Sequence, residues 1–243
     1  PFDSVMNYPM RRAILNYLGN TLISNQYGHE CQQGYWNATQ VRRFLCSVWG
    51  SFPFEVIHSQ LCLLGSHDVS RVSSLLLDPD IIRTAFSLLL LFPGCPTIYY
   101  GDEIGALGKA SSSSSDFVRS TMKWSLSGEA LLEGTDMRPL ISKLLRIRNG
   151  RDEFSQGSFE WVGDDDDILA FRRSLSQSSS IVIAPSPRVS ASRILEWITT
   201  YSMISTYQVT LGNRGVMLKD LTLPDLQSVL DELGLVVAAG THA

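Results

Sequence analysis

The chain has 243 residues, 44% hydrophobic and 18% charged, with a formal net charge of −4. That length suits one large domain or a medium one with a smaller companion, and mild acidity without a Lys/Arg cluster gives no basis for nucleic acid as a partner. Cys31, Cys46, Cys62 and Cys95 lie far apart with no Cys-x-x-Cys spacing, so neither a zinc site nor a disulfide framework is expected, and no metal or cofactor.

The chain opens on Pro1-Phe2-Asp3, without Met and without the basic and apolar regions of a leader. Localisation stays open, with a cytoplasmic setting favoured, and the true N-terminus is expected upstream. "FDSVMNY" (2–8) reads as a short strand. Pro9 suits the first turn of a helix with Ala13, Ile14, Tyr17 and Leu18 on one face and Gly19 as its stop. After the loop "NQYGHECQQGYW", a second helix is expected from an Asn37 N-cap, burying Val41, Phe44, Leu45 and Val48 and ending at Gly50.

"SQLCLLGS" has the length and apolarity of a strand buried on both faces. Asp78-Pro79 opens a third helix, "DIIRTAFSLLLLF", closed by Pro93-Gly94. Arg83 and that Pro-Gly pair break the apolar run too early for a membrane span. "PTIYY" reads as another buried strand ending in "GDEIG", and "MRPLISKLLRIRN" (137–149) as the next helix. Alternating β and α elements argue for a parallel sheet with helical crossovers. They do not separate an open doubly wound sheet from a piece of a (β/α)8 barrel.

Near residue 150 the texture changes. "GSFEWVGDDDDILAFRRS" reads as two strands joined by an acidic turn, and "SIVIAPSP" as a third. Residues 1–150 and 151–243 are therefore expected to be separate domains, the second a small antiparallel β domain. The serine runs at 110–116 and 176–180 have loop composition, and "TLPDLQSVLDELG" could form a helix in an otherwise patternless tail.

The chemistry concentrates in "LLGSHDVSRV", where His67 and Asp68 follow an apolar strand and Arg71 stands three places on. With "FDSVMNYPMRRAIL", "FPGCPTIYYGDEIG" and "RSTMKW", this stretch resembles the α-amylase superfamily of glycoside hydrolases. Within it, the match is to the cyclomaltodextrinase and neopullulanase branch. The resemblance runs from about residue 2 to residue 185.

It implies the C-terminal portion, strands six to eight, of a (β/α)8 TIM barrel followed by a small antiparallel β domain. It also implies that Asp68 is the catalytic transition-state stabiliser, gripping two hydroxyls of the sugar at the cleavage point. His67, Arg71, Asp102 and Arg119 are implied as substrate-binding residues. The family's nucleophile Asp and acid/base Glu belong to strands four and five, so a missing N-terminal barrel half is the expected partner. The chain alone is expected to be inactive. The substrate implied is an α-glucan: cyclodextrin, pullulan or a maltooligosaccharide with α-1,4 links. An oligomer is compatible with the resemblance.

Some positions depart from the family pattern. Cys62 stands where the branch often has Asn, and Ser115 stands where an Asp is expected four places before Arg119. Tyr99 and Tyr100 read as packing residues, although a strand-end tyrosine can stack on a sugar. Glu103 reads as structural, and His29 and His58 as ordinary surface or loop histidines. Two other functions compete. One is a non-enzymatic, truncated or degenerate amylase-like chain with an interaction role. The other is a metal-dependent phosphohydrolase, which would need more converging ligands than four histidines supply. The purely structural reading of Asp68 is a salt bridge to Arg71.

Overall fold

A computed structural model describes residues 4–19, 35–110, 118–122, 124, 131–132, 134–190, 193–194, 196–197, 209–211 and 214–216. His29, Cys31, Ser115, most of the first serine run and the expected helix "TLPDLQSVLDELG" lie outside them. In chain order the elements are α1 (Tyr8–Leu18), α2 (Ala38–Trp49), α3 (Phe54–Ser59), β1 (Leu61–Leu63), α4 (Val72–Leu76), α5 (Pro79–Leu91) and β2 (Cys95–Thr97). A 3-10 turn follows at Asp102–Ile104, then α6 (Arg138–Asn149), α7 (Glu153–Gln156), β3 (Ser158–Trp161), β4 (Ile168–Leu175), β5 (Ser178–Pro185), β6 (Val209–Leu211) and β7 (Arg214–Val216).

The helices begin where their capping residues stand. Asn7 accepts from the Met10 N–H at 2.9 Å ahead of Pro9. Asn37 and Gln40 cap each other's backbone at 2.8 and 2.9 Å, a capping box. Asp78 accepts from Asp80 and Ile81 to start α5. Of the face expected for α2, Val41 and Leu45 are buried while Phe44 and Val48 are half-buried against the core.

β1 and β2 pair in parallel, Leu61 with Cys95 and Leu63 with Thr97. The segment before α1 joins the other side of β1: Met6 bridges Leu61 in parallel, with Asn7 donating to the Leu61 carbonyl at 2.8 Å. Three adjacent parallel segments separated by helices confirm the crossover pattern. The two flanking strands fall short of the sequence expectation. Among the described residues of "FDSVMNY" there is one bridge, and Val5 and Met6 are exposed. "PTIYY" pairs only through Pro96 and Thr97, and Cys95 and Thr97 are exposed. Each is an edge among the described residues, with a neighbour on one side only, so its length and burial drop together.

The antiparallel unit matches the expected three strands, in the order β3-β4-β5. The acidic turn is built by Asp165, which accepts from the Asp167 and Ile168 N–H groups. One hydrophobic core runs through both parts of the chain, joining Met10, Tyr17, Leu45 and Phe92 to Phe154, Leu169, Phe171 and Val182. At the junction Phe92 stacks on Phe171 at 4.6 Å and Trp49 meets Phe159 edge-on at 5.0 Å. Such pairs contribute about 0.5–1.5 kcal/mol each beyond area burial.

Polar ties reinforce the same junction. The Tyr17 hydroxyl accepts from Leu169 N–H at 3.1 Å and lies 2.7 Å from the Ala184 carbonyl. His58 is no bare surface residue: its ring bridges the Ser155 carbonyl of α7 and the buried Arg173 of β4. Partial burial and the nearby Arg173 lower its pKa.

Candidate active site

After β1 the backbone turns sharply, with Ser66 bridged to Val69 across His67 and Asp68. The Ser66 hydroxyl accepts from the Asp68 N–H at 3.2 Å and meets the Tyr8 hydroxyl at 3.1 Å. α1 therefore reaches the same turn as β1. Arg11, fully buried in α1, donates to the Leu64 and Ser70 carbonyls at 2.7 and 3.1 Å and holds both legs of the turn.

The turn presents His67 and Asp68 to solvent, with side chains 57% and 49% exposed. His67 Nε2 lies 3.1 Å from one Asp68 oxygen, and the Arg119 guanidinium lies 3.5 Å from the other. Arg119 also donates to the His67 carbonyl at 3.1 Å. Three of the expected site residues thus share one surface.

Arg71 and Asp102 form a second layer beneath it. Their side chains are 1% and 2% exposed and meet at 3.1 Å. Arg71 further donates to the Tyr100 and Val118 carbonyls, at 2.7 and 3.0 Å. Its guanidinium lies 4.7 Å from the Tyr99 ring centre and 5.0 Å from that of Tyr100. Two sequence expectations change here. The Asp68–Arg71 salt bridge is not formed, because Arg71 turns inward to Asp102. Arg71 and Asp102, expected to touch substrate, are both closed off from solvent.

Burial pushes the Asp102 carboxyl up to about 7, against the opposing pull of Arg71. Glycine is required where the carboxylate passes. A Cβ on Gly65 would stand 2.1 Å from Asp102 Oδ2, and Gly101, beside Arg71, has φ +87°. Glu103 keeps the structural part read for it, accepting from the Gly101 N–H at 2.7 Å. Cys62 is a buried residue of β1 and receives a long contact from the Asn7 amide at 3.8 Å. Among the described residues no group of three His, Cys, Asp or Glu side chains could hold a metal ion.

The bracing by Arg11 and the run Val118–Ser120 across the strand ends are features the sequence reading missed. Arg11 had a faint signal, a charge beside Met10 on the face of a helix that is otherwise buried. The Val118–Ser120 contacts had none, since they depend on a loop's path.

Parallel strands joined through helices, with polar and charged groups gathered past the carboxyl ends of the strands, define an α/β protein whose site lies where barrels and open sheets alike place theirs. A family model described as alpha amylase, catalytic domain, matches residues 1–166. The chain belongs to the alpha-amylase family.

Among curated relatives, an amylopullulanase from Thermoanaerobacter thermohydrosulfuricus is 28% identical over 71% of this chain and 12% of its own length. A cyclomaltodextrinase from Thermoanaerobacter pseudethanolicus is 28% identical over 75% of this chain and 28% of its own. Among solved structures, Ttha1563 from Thermus thermophilus superposes with a TM-score of 0.61 and 30% identity, covering 71% of this chain and 35% of that one. The chain therefore spans about a third or less of these relatives.

Proposed function

We propose that this chain supplies one wall of a retaining α-glucan hydrolase site, acting on α-1,4-glucosidic bonds of cyclodextrins, pullulan or maltooligosaccharides. In this reading the segment at Met6, β1 and β2 are barrel strands six, seven and eight. Residues 1–150 are the barrel part and 151–243 the β-rich C-terminal domain. Asp68 is the transition-state stabiliser, and His67 and Arg119 contact the substrate. Arg71 and Asp102 serve by positioning the strand ends rather than by touching sugar, since both are buried.

One observation carries the reading: Asp68 presents a half-exposed carboxylate at a strand end, flanked by His67 and Arg119, inside the stretch that the family model covers. Retaining glycosidases need a nucleophilic carboxylate and an acid/base carboxyl about 5–5.5 Å apart. A third carboxylate beside that pair disfavours ionisation of the acid, because like charges resist coexisting. Its hydrogen bonds to ring hydroxyls strengthen as the oxocarbenium-like transition state forms. In this reading the nucleophile and the acid/base group come from a barrel half that this chain does not contain, and the chain alone does not hydrolyse glucans. The maltose complex of a relative, the cyclic α-maltosyl-(1→6)-maltose hydrolase of Arthrobacter globiformis, supports an α-glucan as ligand.

The test joins residues 1–166 to the N-terminal portion of a cyclomaltodextrinase and follows release of reducing ends from maltooligosaccharides. Turnover by the joined protein, with none from the 243-residue chain, is the expected result. A folded chimera without turnover would overturn the reading.

A further inference from the structure

We propose that Tyr100 is a further sugar-contact residue, its ring taking the apolar C–H face of a pyranose in an α-glucan. The inference rests on the α-glucan reading above. Tyr100 follows β2 and is 40% exposed, although Arg71 beneath it is 1% exposed. Arg71 lies over the ring at 5.0 Å from its centre, so the face open to a ligand is the one turned away from Arg71. The Tyr99 ring meets it edge-on at 4.7 Å, which restrains rotation about the side chain. The phenolic hydroxyl donates to the Ser120 carbonyl at 2.7 Å. The ring is therefore held by Arg71, by Tyr99 and at its tip while 40% of the residue's surface stays open to solvent. A group ordered before binding loses little further freedom on binding.

The run Val118–Ser120 sets this ring on the same rim as Asp68. The Val118 carbonyl accepts from Arg71 and from the Tyr99 hydroxyl, at 3.0 and 3.1 Å. The next residue, Arg119, reaches Asp68 and the His67 carbonyl. The one after it, Ser120, takes Tyr100. Three consecutive residues thus tie an aromatic ring to the Asp68 carboxylate and the His67 backbone, with the Arg119 guanidinium between them. Ligand sites combine apolar aromatic walls with a few placed polar groups. A pyranose matches that combination, with C–H groups on its faces and hydroxyls around its edge.

The experiment titrates maltotriose into the full 243-residue chain and into Tyr100→Ala, Tyr100→Leu, Tyr100→Phe and His67→Ala, with near-ultraviolet circular dichroism as the check on folding. Tyr100→Ala and Tyr100→Leu should weaken binding about tenfold or more, the factor that 1.4 kcal/mol represents. Tyr100→Phe, which keeps the ring, should retain most of the affinity. Tyr100→Leu preserves apolar packing over Arg71, so it carries the test if Tyr100→Ala does not fold. Weakening by His67→Ala with Tyr100→Leu binding like wild type would overturn the inference and leave the α-glucan reading intact. Absence of saturable binding by the folded wild-type chain would overturn both.

Discussion

Arg71 and Asp102 meet at 3.1 Å with almost no exposed side-chain surface, directly beneath the turn that carries His67 and Asp68. A cation and an anion buried together repay their lost hydration only through close geometry and further hydrogen bonds. Arg71 has both, donating to two backbone carbonyls besides the carboxylate. Removing one partner is therefore costlier than the pair's net contribution suggests. Arg71→Met should destabilise the fold by about 3–5 kcal/mol, measured by urea denaturation.

The same pair makes stability depend on pH with an unusual sign for a carboxylate. The folded-state pKa of Asp102 is raised to about 7 from 3.8 by burial. Between those values the folded state binds more protons than the unfolded one, so this group's contribution is present below about 3.8 and lost as pH rises through about 7. The melting temperature of wild type, relative to Asp102→Asn, should fall between pH 4 and pH 7, the window set by that raised value. A constant difference across that range would contradict the assignment.

Gly65 is where the strand end and the carboxylate come closest. An added Cβ would stand 2.1 Å from Asp102 Oδ2, and a buried ion pair has little room to move. Gly65→Ala should cost about 1–3 kcal/mol, the range for overpacking. It should also raise proteolytic sensitivity near residue 68. Thermal denaturation with limited proteolysis checks both.

Tyr17 ties α1 to the antiparallel sheet through one hydroxyl. Tyr17→Phe leaves the Leu169 N–H and the Ala184 carbonyl without that partner in a buried place. A loss of about 1–3 kcal/mol is expected from the desolvation of orphaned polar groups. Equilibrium unfolding monitored by tryptophan fluorescence gives the value.

Asp68→Asn keeps shape and removes charge. In the joined protein described above it should lower turnover about 10²–10³-fold, the usual scale for losing preorganised charge stabilisation. His67→Ala should do less, because its hydroxyl contacts serve ground and transition states alike. Steady-state kinetics on a maltooligosaccharide separate the two. Retention of more than about a tenth of the activity by Asp68→Asn, a barrier change under 1.36 kcal/mol, would remove Asp68 from the catalytic role.

Local order was legible in the chain itself. Asn37 and Asp78 cap helices where expected, Pro9 stands in the first turn of another, Gly19 and Gly50 end two of them, and the alternation of strands and helices foretold parallel pairing. The three strands after residue 150 and the neighbouring His67 and Asp68 were equally visible, because caps, periodicity and adjacency act within a few residues. Partner choice over long separations was decided by the tertiary structure. Arg71 is three places from Asp68 yet pairs with Asp102, 31 positions away, because packing turns it inward between Tyr99 and Tyr100. Arg119 reaches Asp68 across 51 positions through the path of a loop. The flanking strands shortened for the same kind of reason. A strand's length and burial depend on neighbours on both sides, which its own residues do not encode.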